Sequence, residues 1–132
     1  MKNTLLRISF IFIIAVSVHS TAHAGVMDEI ANAIKNGNAK DLAGYFDSNV
    51  LITILDEEET YSKAQAELVV KDFFSKHSPR SFEIVHSGNS AGGTQEYSIG
   101  TLTCSNGTFR VYINIKSSGS TYVIQELSFE EQ

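Results

Sequence analysis

The chain has one cysteine, one proline and no tryptophan among its 132 residues. Because Cys104 has no second cysteine to pair with, no disulfide within the chain can stabilise the fold. A zinc site built from one cysteine and scattered histidines is also disfavoured. We expect Cys104 to be a buried small apolar residue, and an intermolecular disulfide or a reactive thiol is the alternative.

Sequence motifs of nucleophilic, metallopeptidase and phosphate chemistry are missing as well. The chain contains no G-x-S-x-G, no H-E-x-x-H, no P-loop, and no cysteine and histidine at a recognisable spacing. In each of the last two predicted strands, one face is mainly apolar. Neither of these faces contains an aspartate or glutamate that could act as a base in an apolar pocket. These absences disfavour an enzyme without excluding one, and we predict no catalytic residue, no metal and no cofactor.

Positive charge is scarce, and the lysines and arginines do not cluster. Without Lys2 and Arg7, which lie in a segment that we expect to be removed, eight basic residues remain against 15 acidic ones, for a net charge of −7. An acidic chain of this kind repels phosphate backbones and anionic membrane surfaces. We therefore expect no nucleic-acid partner.

The first 24 residues have the pattern of a secretory signal peptide. Lys2 and Arg7 form a basic start, residues 8–18 are almost wholly apolar, and Ala22-His23-Ala24 fits a signal peptidase site. The apolar run is too short to span a membrane, although an uncleaved anchor is the alternative. Gly25 follows the predicted cut, so the cysteine of a bacterial lipoprotein is absent. We predict that residues 1–24 are cleaved, and that residues 25–132 form one exported domain, periplasmic or secreted, without a membrane anchor.

Three helices are predicted in the first two thirds of the mature chain. Apolar residues recur at helical spacing over residues 26–35, and Asn38 is placed to cap a second, short helix. Ser62 and Gln65 match a capping box that begins a third helix at Lys63, and Ser78-Pro79 ends it. The first two helices are predicted to form a hairpin.

Strands are predicted before and after the third helix. Residues 50–55 form one buried strand, and the last third of the chain reads as an antiparallel meander of four strands. Glycine, serine and asparagine separate those four, and Asn106-Gly107 is a strong hairpin signal. The predicted runs are 81–87, 95–104, 108–116 and 121–129.

Four consecutive acids, Asp56 to Glu59, lie between the buried strand and the third helix. A calcium loop would place its oxygen ligands at alternating positions and needs a glycine for its sharp turn, and neither condition is met. We predict instead that the acids occupy a solvated turn from strand to helix, where the helix dipole favours negative charge. An adventitious cation site is the alternative.

In this order of elements, the chain resembles the nuclear transport factor 2-like α+β cone, and within it a family of short secreted Bacteroidetes proteins without an assigned function. The resemblance rests on residues 61–66, 72–74, 82–88, 97–100 and 109–111. It implies a helical hairpin and one longer helix packed on a strongly curved antiparallel sheet, with a pocket between the concave face and the helices. Such pockets serve enzymes and binding proteins alike, so the fold does not choose between them.

Aromatic and polar residues on both sides of the predicted core are candidates to line this pocket. Strict alternation places His86 on the same strand face as Phe82 and Ile84, and Tyr97 lies near it on the next strand. A histidine in a pocket can act as an acid or base, and Tyr45 and Phe74 would belong to an aromatic wall. Ordinary packing in the core or at its rim also explains each of these residues.

The opposite sheet face is predicted to carry Tyr112, Tyr122 and Ile124 among polar residues. Exposed apolar residues in such a setting can mark a contact surface. Because relatives of this fold often dimerise through that face, a homodimer is plausible, and scattered surface aromatics are the alternative explanation.

Our leading hypothesis is an exported non-catalytic module that binds an unknown small molecule, peptide or protein through the cone pocket or the outer sheet face. The alternative is a small enzyme of the isomerase, cyclase or dehydratase type, with a pocket around His86 and Tyr97. An enzyme needs an open pocket in which titratable groups converge.

Overall fold

The computed structural model describes residues 25–90 and 92–132. The signal peptide predicted for residues 1–24 lies outside this part. The predicted α+β class is confirmed, with a helical hairpin and a longer helix packed on a strongly curved sheet. The helices are α1 (Gly25–Lys35), α2 (Ala39–Ala43) and α3 (Lys63–Lys76), and the strands are β1 (Phe46–Ile54), β2 (Glu57–Ser62), β3 (Pro79–Asn89), β4 (Gln95–Cys104), β5 (Gly107–Ser118) and β6 (Thr121–Glu131).

The helix boundaries follow from local capping. The Asn38 side chain accepts a hydrogen bond from the Asp41 amide and so begins α2, as predicted. The capping box at α3 is also confirmed, because the Ser62 side chain accepts from the Gln65 backbone and the Gln65 side chain accepts from the Ser62 backbone. None of the helices in the described ranges is long and apolar enough to cross a membrane.

The six strands form one sheet in the order β2-β1-β6-β5-β4-β3. The predicted meander is present as β3 to β6, whose neighbours all pair antiparallel. The sheet is mixed rather than wholly antiparallel, because β1 pairs in parallel with β6. The first strand after the helical hairpin therefore lies beside the last strand of the chain.

The acidic segment is a strand, and the prediction of a strand-to-helix turn there is wrong. Glu57 begins β2, which pairs antiparallel with β1 as the edge of the sheet. The turn comes earlier, at Leu55 and Asp56. Leu55 adopts a left-handed backbone conformation with a φ of 56°, which residues other than glycine and asparagine rarely adopt.

Of the register shifts in the sheet, two β-bulges change the face on which candidate site residues lie. In β3, Val85 is an extra residue between neighbours that pair with consecutive positions of β4. In β6, Gln125 is likewise extra relative to β5. Each bulge reverses the face on which the following side chains lie, and bulges also add twist and bend to a strand.

Four phenylalanines fill the space between α3 and the sheet. The ring of Phe73 lies 4.4 Å from that of Phe129 and 5.2 Å from that of Phe109, measured between centroids. Phe74 packs edge-on against Phe129 at 5.9 Å. All four side chains are buried, so the cone is closed beneath α3. Cys104 is buried as well, as expected, and burial raises the pKa of its thiol.

Gly100 gives Phe82 room on the concave face, which is the sheet face that packs against the helices. A Cβ atom at position 100 would lie 2.4 Å from the Phe82 ring and 2.9 Å from the Glu83 carbonyl oxygen. The backbone oxygen cannot easily move away. Only glycine therefore fits at this position of β4.

We expect Gly100→Ala to lower the free energy of unfolding by about 1–3 kcal/mol, the usual cost of forcing extra atoms into a packed site. Gly107→Ala is the matched control, because a Cβ there meets the Phe109 ring at an ordinary 3.7 Å. Urea denaturation of both variants measures the effect. Equal stabilities of the two variants would contradict this account of the Phe82 site.

Candidate functional site

A cleft of about 430 Å³ opens between the first turn of α1 and the concave face of the sheet. We call it the cone-mouth cleft, because it lies beyond the phenylalanine-filled interior, at the ends of the β3–β4 and β5–β6 hairpins. Its lining combines an apolar side with a polar rim. The lining residues are Gly25, Val26, Met27, Asn89, Gly93, Thr94, Gln95, Glu96, Ile115 and Tyr122.

Glu96 is the carboxylate of this cleft. In β4, the alternation places Glu96 on the concave face with Ser98 and Leu102, which are both buried. Glu96 pairs with Ile115 of β5, whose side chain is buried in the same face. A carboxylate thus projects beside apolar packing at the mouth of the cone.

The bulge at Gln125 brings Tyr122 into the cone-mouth cleft. Tyr122 pairs with Ser117 and lies on the face of Ile124, which is fully buried in the core. The prediction that Tyr122 and Ile124 lie on the outer face is therefore wrong, since one extra residue shifts the alternation. Of the three predicted interface residues, only Tyr112 lies on the outer face.

The chemistry of the cone-mouth cleft is that of an acceptor site. Its described lining contains one carboxylate, the side-chain amide of Asn89 and the Tyr122 phenol, but no lysine, arginine or histidine. The apolar side is supplied by the partly exposed Val26 and by the edges of the buried Met27 and Ile115. Such a lining can hold an apolar body and accept hydrogen bonds from a polar or cationic group. In the described ranges, no group of three or more histidine, cysteine, aspartate or glutamate side chains is placed to hold a metal ion.

His86 and Tyr97 do come together, but on the outer face, away from the helices. The bulge at Val85 reverses the alternation, so His86 does not share the face of Phe82 as predicted. Its Nε2 lies 3.1 Å from the Tyr97 hydroxyl, within hydrogen-bond distance. Neither residue lines the cone-mouth cleft.

The outer face continues from this pair as a short aromatic strip. Tyr97 stacks on Tyr112, with centroids 6.2 Å apart and planes at 23°. Gly88 makes room for the strip, because a Cβ there would lie 2.6 Å from the Tyr97 hydroxyl oxygen. Further along the same face, burial and the nearby charge of Glu58 raise the pKa of Glu126.

The other two pocket candidates serve the packing of the helices. Phe74 is buried in the phenylalanine cluster. Tyr45 lies in a separate surface depression between α1 and α2, where its hydroxyl donates a hydrogen bond to Glu29. That bond, with burial and the charges of Glu29 and Asp41, raises the pKa of Tyr45 to about 12.

Glu96 and Met27 are the cleft residues that sequence reasoning missed. A signal for Glu96 existed in the sequence. Glu96 is an even number of residues from Leu102 and Cys104, so alternation places it on the same face of β4 as these apolar residues. Met27 has the spacing of a core residue of α1, and nothing in the sequence distinguishes a core position from one at the edge of a cleft.

The model of one protein family, described as a domain of unknown function (DUF4783), matches residues 27–130. Among curated proteins, none matches the chain significantly. The family model covers every helix and strand described above except their outermost residues.

Several solved structures resemble the chain. A DUF4783 family protein from Bacteroides uniformis is 29% identical, covers 81% of this chain and 97% of its own length, and has a TM-score of 0.76. One from Bacteroides ovatus is 25% identical over 79% of this chain and 93% of its own, with a TM-score of 0.74. A nuclear transport factor 2-like protein from Cytophaga hutchinsonii is 14% identical over 80% and 92%, with a TM-score of 0.60, and shows likeness of fold alone.

Because Tyr45 is hydrogen-bonded to Glu29, we expect it to lose its proton at a higher pH than an ordinary tyrosine does. Because the folded pKa of about 12 exceeds the ordinary value of 10, the bond stabilises the fold fully below pH 10 and is lost as the pH rises towards 12. Phenolate absorbance of the wild type minus that of Tyr45→Phe isolates this titration. We expect Glu29→Gln to move its midpoint towards 10 and the remote Glu130→Gln to leave it unchanged. A wild-type midpoint of 10 would refute the assignment.

Proposed function

Because the chain belongs to the DUF4783 family and has a nuclear transport factor 2-like fold, we propose that it is a non-catalytic binding module that takes a small organic ligand in the cone-mouth cleft. One observation carries the proposal. A cleft of about 430 Å³ holds the carboxylate of Glu96 against an apolar wall on the concave face. This volume and this mixture of apolar and polar lining are typical of small-molecule sites in proteins.

The lining indicates which ligands suit the cleft. Glu96 favours a hydrogen-bond donor or a cation, and the described lining has no basic side chain to balance the charge of an anion. The side chains of Met27 and Ile115 favour an apolar body. We therefore propose a ligand with an apolar part and one amine, amide or hydroxyl group directed at Glu96.

The packed interior limits where a ligand can lie. Phe73, Phe109 and Phe129 occupy the space beneath α3, so a ligand reaches only the mouth of the cone. A shallow site of this kind suits reversible binding. Catalysis usually needs a site that excludes water and in which acid and base groups converge. A cleft that is open to solvent excludes water less well.

Native mass spectrometry of the protein purified from the organism that encodes it tests this proposal. We expect wild-type protein to retain a small molecule, and Thr94→Trp to lose it, because Thr94 is an exposed rim residue and the indole would fill the cleft. Thr103→Trp adds the same bulk at an exposed position of β4 outside the cleft and should retain the ligand.

Retention of the same ligand by Thr94→Trp would refute binding in the cone-mouth cleft. A ligand-free wild type would leave the proposal without support. The same spectra give the subunit count, which tests the homodimer expected from the outer sheet face.

We further propose that the protein is exported after cleavage behind Ala24, on the basis of the basic, apolar and small-residue segments of residues 1–24. The intact mass and N-terminal sequence of the native protein should then begin at Gly25. A native chain that still carries Met1 and residues 8–18 would refute cleavage and favour an anchor.

A further inference from the structure

A second, more apolar groove of about 450 Å³ lies between α3 and the β1–β2 hairpin. We call it the hairpin groove. Its apolar lining comes from both elements and continues to the edge of the phenylalanine cluster. The main apolar residues are Ile54, Leu55, Tyr61, Leu68, Val69 and Phe73.

The hairpin groove concentrates the exposed apolar surface of the protein. Within residues 25–90 and 92–132, three large hydrophobic side chains are exposed, and two of them, Leu55 and Leu68, line this groove. Leu68 is 64% exposed and Leu55 is 37% exposed. The third, Val85, lies on β3 at the other edge of the sheet. Clustered exposure of this kind marks contact surfaces more often than scattered exposure does.

Leu55 occupies its position at a conformational cost. Its φ of 56° is one that glycine or asparagine adopts easily and leucine does not. The conformation is held in place by a hydrogen bond of 2.8 Å from the Leu55 amide to the Phe129 carbonyl oxygen. More than a third of the leucine side chain nevertheless stays exposed, at 37%, so packing within the chain accounts for it only in part. Strain of this kind tends to persist where a side chain has a function.

Negative charge surrounds the hairpin groove. Glu57 and Asp72 line it, and Glu59 shares the β2 face of Glu57 and Tyr61. Lys76 also lines the groove, but its ammonium pairs with Asp72 at 2.8 Å, the one ion pair among the described residues. His77, the remaining group at the rim that can be cationic, is hydrogen-bonded through Nδ1 to Asn106. The acids of β2 are therefore left without cationic partners in the described chain.

From the apolar floor and the unbalanced acids together, we propose that the hairpin groove binds a basic amphipathic segment of a partner protein. Leucine-like side chains of the segment would pack against Leu55 and Leu68. Its lysines or arginines would lie against Glu57 and Glu59, where opposite charges guide association. In this proposal, Glu57 and Glu59 of the edge strand have a binding role.

A synthetic peptide with leucines at three- and four-residue steps and lysines between them is the probe, measured by fluorescence anisotropy. We expect Leu68→Ser to weaken its binding about tenfold or more, because burial of a leucine side chain is lost. Leu55→Gly should also weaken binding, because it removes the side chain from the groove, and glycine adopts the φ at this position without strain, so the turn is kept.

Three controls separate groove binding from general attraction between a basic peptide and an acidic protein. Val85→Ser removes a comparable exposed side chain outside the groove and should bind as the wild type does. A peptide of equal charge with serine in place of leucine should bind at least tenfold more weakly. The double change Glu57→Gln and Glu59→Gln should weaken binding and reduce its dependence on salt.

The proposal is overturned if Leu68→Ser and Val85→Ser bind the leucine–lysine peptide equally well, or if the serine–lysine peptide binds as tightly. The cone-mouth variant Thr94→Trp should bind the peptide normally. A loss of peptide binding in Thr94→Trp would place the contact in the other cleft and overturn the assignment to the hairpin groove.

Discussion

The packing of Phe73 against Phe109 and Phe129 is the contact on which the rest of the structure depends. It joins the middle of α3 to β5 and β6, and each ring contributes about 1.5–3 kcal/mol through burial. Because these rings fill the space beneath the helix, the concave face is open only beyond them. The same contact fixes α3 beside the β1–β2 hairpin. The positions of the cone-mouth cleft and of the hairpin groove therefore both depend on one aromatic cluster, which contributes Phe73 to the wall of the hairpin groove.

Local signals in the sequence predicted the elements well, because the chemistry that ends a helix is local. The capping box at Ser62 and the cap at Asn38 are formed by residues three positions apart, so the residue types suffice to recognise them. The order of the elements led to the resemblance and thus to the fold class. The parallel pairing of β1 with β6 joins distant parts of the chain, and no local pattern specifies it.

The faces of the strands were predicted less well, and the bulges are the reason. Val85 and Gln125 are ordinary strand residues, so nothing marks them as extra. One extra residue moves His86 to the outer face and Tyr122 to the inner one, because the side-chain period of a strand is two. The acidic hairpin was missed for a related reason. Its turn uses Leu55 and Asp56, which lack the asparagine or glycine by which a tight turn is usually recognised.

The parallel pair of β1 and β6 also constrains how the chain reaches its native state. Ile52 pairs with Leu127, so the sheet joins residues that are separated by most of the domain. Closing so large a loop is entropically costly and slows folding compared with local hairpins. The meander of β3 to β6 can pair locally, whereas β1 has no interior partner until the last strand has been synthesised. A chain emerging from the ribosome therefore cannot complete the sheet until β6 has been made.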